Sequence, residues 1–172
     1  MSRQTPDRID LERFMPYRLS VLTNVVSGSI AAMYQRRFGL GIPEWRVIAV
    51  LAMRPGLSAA EVAACTGMDA VAVSRAVGRL LRSGRLRRTT AEADRRRSVL
   101  DLTPAGLAVY RQVAPLALEY ERDLLGGLDA REAAALDSIV RKLTARAREL
   151  AAGGSRSPQV TVLSPARRAG DL

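Results

Sequence analysis

The stretch SAAEVAACTGMDAVAVSRAVGRLLRSG, Ser58 to Gly84, decides how this chain reads. Ser58 followed by Glu61 is a capping box: the hydroxyl accepts from a first-turn amide while the carboxylate reaches back to the cap amide. It predicts a short helix to about Thr66. Gly67 suits a tight turn with positive φ, because no Cβ collides with the backbone there. Asp69 can cap a second helix to about Ser83, and Gly84 suits that helix's C-terminal end. Two short helices joined by a brief glycine-containing turn make a helix-turn-helix pattern.

The second of these helices has two distinct faces. At about 100° per residue, Val73, Val77 and Leu80 fall together, flanked by Ala70 and Ala76, and form the predicted buried stripe. Val71, Arg75, Gly78, Arg79 and Arg82 fall opposite, with Ser74 at the edge. A slim apolar stripe backed by arginines suits a helix lying in the DNA major groove. The N-terminal half nominates Ala70, Val71, Ser74 and Arg75 for base edges, and Arg79 and Arg82 for phosphates.

Downstream, Arg85–Thr90 and Arg97–Leu102 are strand-compatible, and residues 91–96 join them as a polar loop, so a β-hairpin follows the second helix. Nine arginines lie between Arg75 and Arg97, opposed only by Glu92 and Asp94. In that loop Asp94 can hold a neighbouring arginine by an ion pair. The neighbouring one of Arg95 and Arg96 can then enter a minor groove, where narrow A·T tracts concentrate negative potential.

Working outward, residues 11–38 carry apolar side chains at helical spacing and predict one long helix with a kink near Pro16. Pro43 can open the next helix from its first turn, and Arg54-Pro55-Gly56 ends it. Thr103-Pro104 restarts a helix that runs to about Leu125, and Asp129 caps a last one. The predicted fold is mainly α with a small β-hairpin, a winged helix-turn-helix with an α-helical dimerisation region. Residues 1–10 read as a flexible arm and 11–150 as the folded domain. Within it, 43–103 form the DNA-binding lobe, and 11–42 and 104–150 the dimerisation helices. Residues 151–172, rich in Gly, Ser, Pro and Ala, read as a disordered tail.

Composition narrows the function classes. The chain has 172 residues and a formal net charge of +10, which favours a polyanionic partner. Lys142 is the only lysine, and arginine suits bidentate phosphate and guanine contacts. Histidine is absent and Cys65 is the single cysteine, which removes the commonest general base, any intramolecular disulfide and any cysteine-rich metal site. Cys65 reads as a small core residue. No enzyme activity, cofactor or metal is expected. The N-terminus lacks a signal peptide's apolar core, and no apolar run suits a membrane span, so a cytoplasmic protein is expected.

The chain resembles the MarR family of bacterial regulators. The resemblance rests on Ile42-Pro43-Glu44-Trp45-Arg46-Val47, on Ser58 to Met68, and on Val73-Ser74-Arg75-Ala76-Val77 with Arg79-Leu80. Asp94-Arg95-Arg96 and Leu102-Thr103-Pro104-Ala105-Gly106 complete it. It implies a homodimer that binds a pseudo-palindromic double-stranded DNA operator and is released by a small anionic aromatic effector. Phe14-Met15-Pro16-Tyr17-Arg18-Leu19 and Arg37-Phe38-Gly39-Leu40 look closest to a branch controlling aromatic acid breakdown, in some members through coenzyme A thioesters. The expected function is therefore a repressor; the alternative is a ligand-independent architectural DNA-binding protein. A pocket between dimer helices and lobe would draw on Tyr17, Arg18, Tyr34, Arg36, Trp45, Arg46 and Tyr110, aromatics for stacking and arginines for an anion.

Overall fold

The computed structural model describes residues 8–90 and 98–153. Helices α1 (Met15–Phe38), α2 (Ile42–Met53), α3 (Ala59–Thr66) and α4 (Ala70–Arg82) come first. Strands β1 (Leu86–Thr90) and β2 (Ser98–Leu102) follow, then α5 (Pro104–Leu125) and α6 (Ala130–Ala152). One compact unit ends at Leu124, and a second begins at Leu125.

The local signals at the helix-turn-helix act as the sequence implies. The Ser58 hydroxyl accepts from the Glu61 amide, and the Glu61 carboxylate accepts the Ser58 amide at 2.8 Å. Gly67 closes α3 with φ +68°, a conformation that an L side chain rarely adopts. The Asp69 carboxylate accepts the Ala72 amide at 2.7 Å and opens α4. The mainly α fold with an antiparallel hairpin is thus the one expected, with β1 and β2 paired from Leu86 opposite Leu102 to Thr90 opposite Ser98.

Three local expectations need correction. Pro16 does not kink a longer helix. It sits in the first turn of α1, where its missing N–H removes no helical hydrogen bond, and residues 11–14 precede the helix. Cys65 is exposed rather than core. The inward side of α3 is set by Ala59, Val62, Ala63 and Thr66, spaced as one helical face, and position 65 lies off it. Finally, α6 continues to Ala152, into the stretch read as tail; residues 154–172 lie outside the described residues.

The core of the first unit collects Val47, Ile48 and Leu51 of α2, Val62 of α3, and Val73, Ala76, Val77 and Leu80 of α4. Leu86 and Leu100 of the hairpin, Tyr34 of α1, and Val109 and Val113 of α5 close it. Each of the valine, leucine and isoleucine side chains contributes about 1.5–3 kcal/mol when fully removed from water. The hairpin is fastened to the lobe by backbone: the Leu100 amide donates to the Leu57 carbonyl at 2.8 Å. Gly106 permits the close return of α5, since a Cβ there would stand 2.2 Å from the Arg85 carbonyl oxygen.

In the second unit, the Asp129 carboxylate accepts the Arg131 and Glu132 amides and caps α6. Leu136, Ile139, Val140, Leu143 and Leu150 are all exposed along this helix.

Candidate nucleic-acid interface

Helix α4 separates its two faces cleanly. Val73, Ala76, Val77 and Leu80 are buried, while Val71, Ser74, Arg75, Arg79 and Arg82 are exposed. Ala70, placed beside the stripe as well as among the base-facing residues, is exposed, because it lies at the first turn, beyond the core. The four residues nominated for base edges therefore share the solvent side of the N-terminal half of α4.

The nearby arginines, alike in sequence, have different surroundings. Arg75, Arg82 and Arg88 make no ion pair among the described residues. Arg87 faces Asp101 across the hairpin at 3.9 Å. Arg85 donates to the Phe38 carbonyl at 2.7 Å, satisfying a free carbonyl at the C-terminus of α1 and meeting its negative dipole end. Arg79 donates through both Nε and Nη2 to Oε1 of Glu44. Arg79, which the sequence nominates for a phosphate, is tied here to Glu44 of α2. Nothing in the local sequence marks this, because the partners lie 35 positions apart. Asp94, Arg95 and Arg96 lie outside the described residues.

The effector candidates fall into separate places. Trp45 stands between two tyrosines: its ring centroid is 5.7 Å from Tyr34 and 6.0 Å from Tyr110, the latter pair stacked. Arg46 of the same helix donates to the Ser27 hydroxyl of α1 at 3.2 Å. Tyr34 is buried. Its hydroxyl is pushed up to about 12, chiefly by burial and next by the negative charge of Glu44, with Arg46 opposing. Trp45, Arg46 and Tyr110 are half-buried around it. Tyr17 and Arg18 are not part of this cluster. They line an open hollow of about 400 Å³ with Leu22 and Val25, about 25 Å further along α1 at 1.5 Å per residue. Arg36 is exposed in the last turn of α1.

A helix-turn-helix whose second helix presents an open polar face, followed by a two-stranded wing, defines a winged helix-turn-helix protein. Residues 38–97 match the model of the MarR family. The fold agrees with a MarR/EmrR family transcriptional regulator from Acinetobacter sp. ADP1. That structure is 27% identical with a TM-score of 0.76, and the match covers 82% of this chain and 99% of that one. It agrees also with the PcaV transcriptional regulator of Streptomyces coelicolor, solved with its natural ligand, at 26% identity, TM-score 0.66 and the same coverage. A protein assigned to transcriptional regulation of the hcr operon in Thauera aromatica is 27% identical over 97 residues, 56% of this chain and 58% of that protein. The chain spans less than two thirds of the length of the curated relatives it matches. Among the described residues, no helix is long and apolar enough to cross a membrane.

Proposed function

We propose that this protein is a sequence-specific DNA-binding transcriptional repressor that works as a homodimer and is released by a small anionic aromatic ligand or its coenzyme A thioester. The observation that carries the DNA-binding part is α4, fixed by its buried stripe and presenting Ala70, Val71, Ser74, Arg75 and Arg82 outward. Arg75 is the base reader: its guanidinium can offer two donors to guanine, and Arg82 supplies phosphate attraction. Arg95 and Arg96, supported by Asp94, are assigned to the minor groove on the pattern of the sequence alone. The exposed apolar residues of α1 and α6 favour a second copy, because soluble monomers rarely leave so much apolar surface uncovered.

The effector is assigned to the half-buried faces of Trp45 and Tyr110, with Arg46 as the cation. Stacked rings suit an aromatic ligand, and a partly buried guanidinium suits a carboxylate. The ligand-bound PcaV structure supports a small-molecule response in a protein of this fold. A ligand that prefers a DNA-incompetent state by about 1–3 kcal/mol lowers operator affinity roughly 5- to 150-fold, and linkage makes operator weaken the ligand equally.

The test has two arms. Titration on operator against random DNA should show that Arg75→Ala loses discrimination at one position per half-site, by about 1–3 kcal/mol. Equal affinity of the unaltered protein for both DNAs makes it an architectural protein instead. A thermal-shift screen with aromatic acids and their coenzyme A thioesters then finds the effector. An effector whose affinity is unaffected by operator, or by Arg46→Ala, overturns the release mechanism or its site respectively.

A further inference from the structure

Glu44 is a buried carboxylate, 4% exposed. Such a charge persists away from water only if its lone pairs are satisfied and its charge is met. Both needs are served by two different elements. Oε2 accepts the Gly41 amide at 2.8 Å, closing the N-terminus of α2. Oε1 accepts both Nε and Nη2 of Arg79, which reaches across from the last turns of α4. The Arg79 side chain is 52% exposed and borders an open hollow of about 330 Å³ with Glu44, Ser83 and Arg85, so solvent and space are available to it elsewhere. It is nonetheless held, because its departure would leave Glu44 buried and unmet.

From this we infer that Arg79 is a positioning residue for the recognition helix, docked on Glu44, and is not one of the phosphate contacts. The inference rests on the DNA-binding reading of α4 and deepens it. A phosphate-binding arginine and a positioning one leave different signatures. Neutralising a phosphate with an arginine releases counterions, so losing such a contact weakens binding to all sequences alike and flattens the salt dependence by about 0.9 per contact. Arg79 already carries its counter-charge, so its removal releases nothing. What it fixes is the seating of α4 on α2, and a shifted α4 misplaces Arg75 against the bases, while removing the pair together leaves the net charge unchanged.

The experiment measures operator and random-DNA affinity of the full chain between about 50 and 200 mM salt. The double variant Glu44→Gln/Arg79→Met removes both charges, leaves no orphaned carboxylate, and keeps an acceptor for the Gly41 amide. Its salt slope should equal that of the unaltered protein, and its operator-to-random ratio should fall about fivefold or more, the low end of one base contact. Glu44→Gln alone frees Arg79 and should steepen the slope by about one per subunit. Arg82→Gln is the reference for a lost phosphate contact: a shallower slope with the ratio kept. If the double variant behaves like Arg82→Gln, Arg79 binds phosphate and the inference falls while the DNA-binding reading stands. An unchanged ratio and slope in the double variant overturns it too. If the unaltered protein binds no DNA in a salt-dependent way, both readings fall together.

Discussion

Helices α4 and α1 both carry apolar side chains at helical spacing, yet the chain treats them differently. In α4 the apolar stripe is closed off by α2, α3 and the hairpin, and Val73, Ala76, Val77 and Leu80 are buried. In α1 only Ala31 and Tyr34, toward the C-terminal end, are buried, while Met15, Tyr17, Leu22 and Val25 remain exposed. One stripe is completed within the first unit; the other remains exposed. Apolar periodicity thus establishes that a face exists, and only packing says whether the chain itself covers that face.

The sharpest way to break this contrast is to place a carboxylate on each stripe. Val77→Asp buries an unpaired charge in the lobe, and we expect a loss of about 4 kcal/mol or more, enough to unfold a domain of ordinary stability. Leu22→Asp falls on a residue 53% exposed in the single chain. It should leave the thermal unfolding of the lobe within about 0.5 kcal/mol, while sedimentation shifts from dimer to monomer. Equal unfolding in both variants would mean that α1 is part of the same closed core.

A smaller effect separates the two ends of α1 itself. Tyr34, at the covered end, has its hydroxyl pushed up to about 12 from 10.0. The unfolded chain therefore releases this proton before the folded one does. Stability falls as pH rises through about 10 to 12, by up to about 2–3 kcal/mol, and is fully present below pH 10. Denaturant titrations across that range should show the decline, and Tyr34→Phe should flatten it. A slope unaltered by that substitution would place the titration elsewhere.

The smallest expected difference concerns the helix starts. Asp69 caps α4 by its side chain, whereas Phe14, the corresponding residue of α1, makes no side-chain cap hydrogen bond. Asp69→Ala should cost about 1 kcal/mol of lobe stability, with Asp69→Asn retaining most of it. Equality of Asp69→Ala with the unaltered protein in chemical denaturation would remove the cap from the account.

What could be read from residues alone was whatever is decided within a few positions of the chain. Ser58 with Glu61, Asp69 with Ala72, and Gly67 at positive φ each settle their own turn through contacts no more than three residues apart or through backbone sterics. The hairpin and the two faces of α4 were legible for the same reason, since strand alternation and helical spacing are properties of the local pattern. Tertiary structure alone decided which like residues have unlike neighbours. It gave Arg79 to Glu44 and Arg85 to Phe38, separated by 35 and 47 positions. It also set Trp45 between Tyr34 and Tyr110. Those outcomes depend on where α2 crosses α1, α4 and α5, and a buried charge such as Glu44 finds its partner only after that crossing has taken water away.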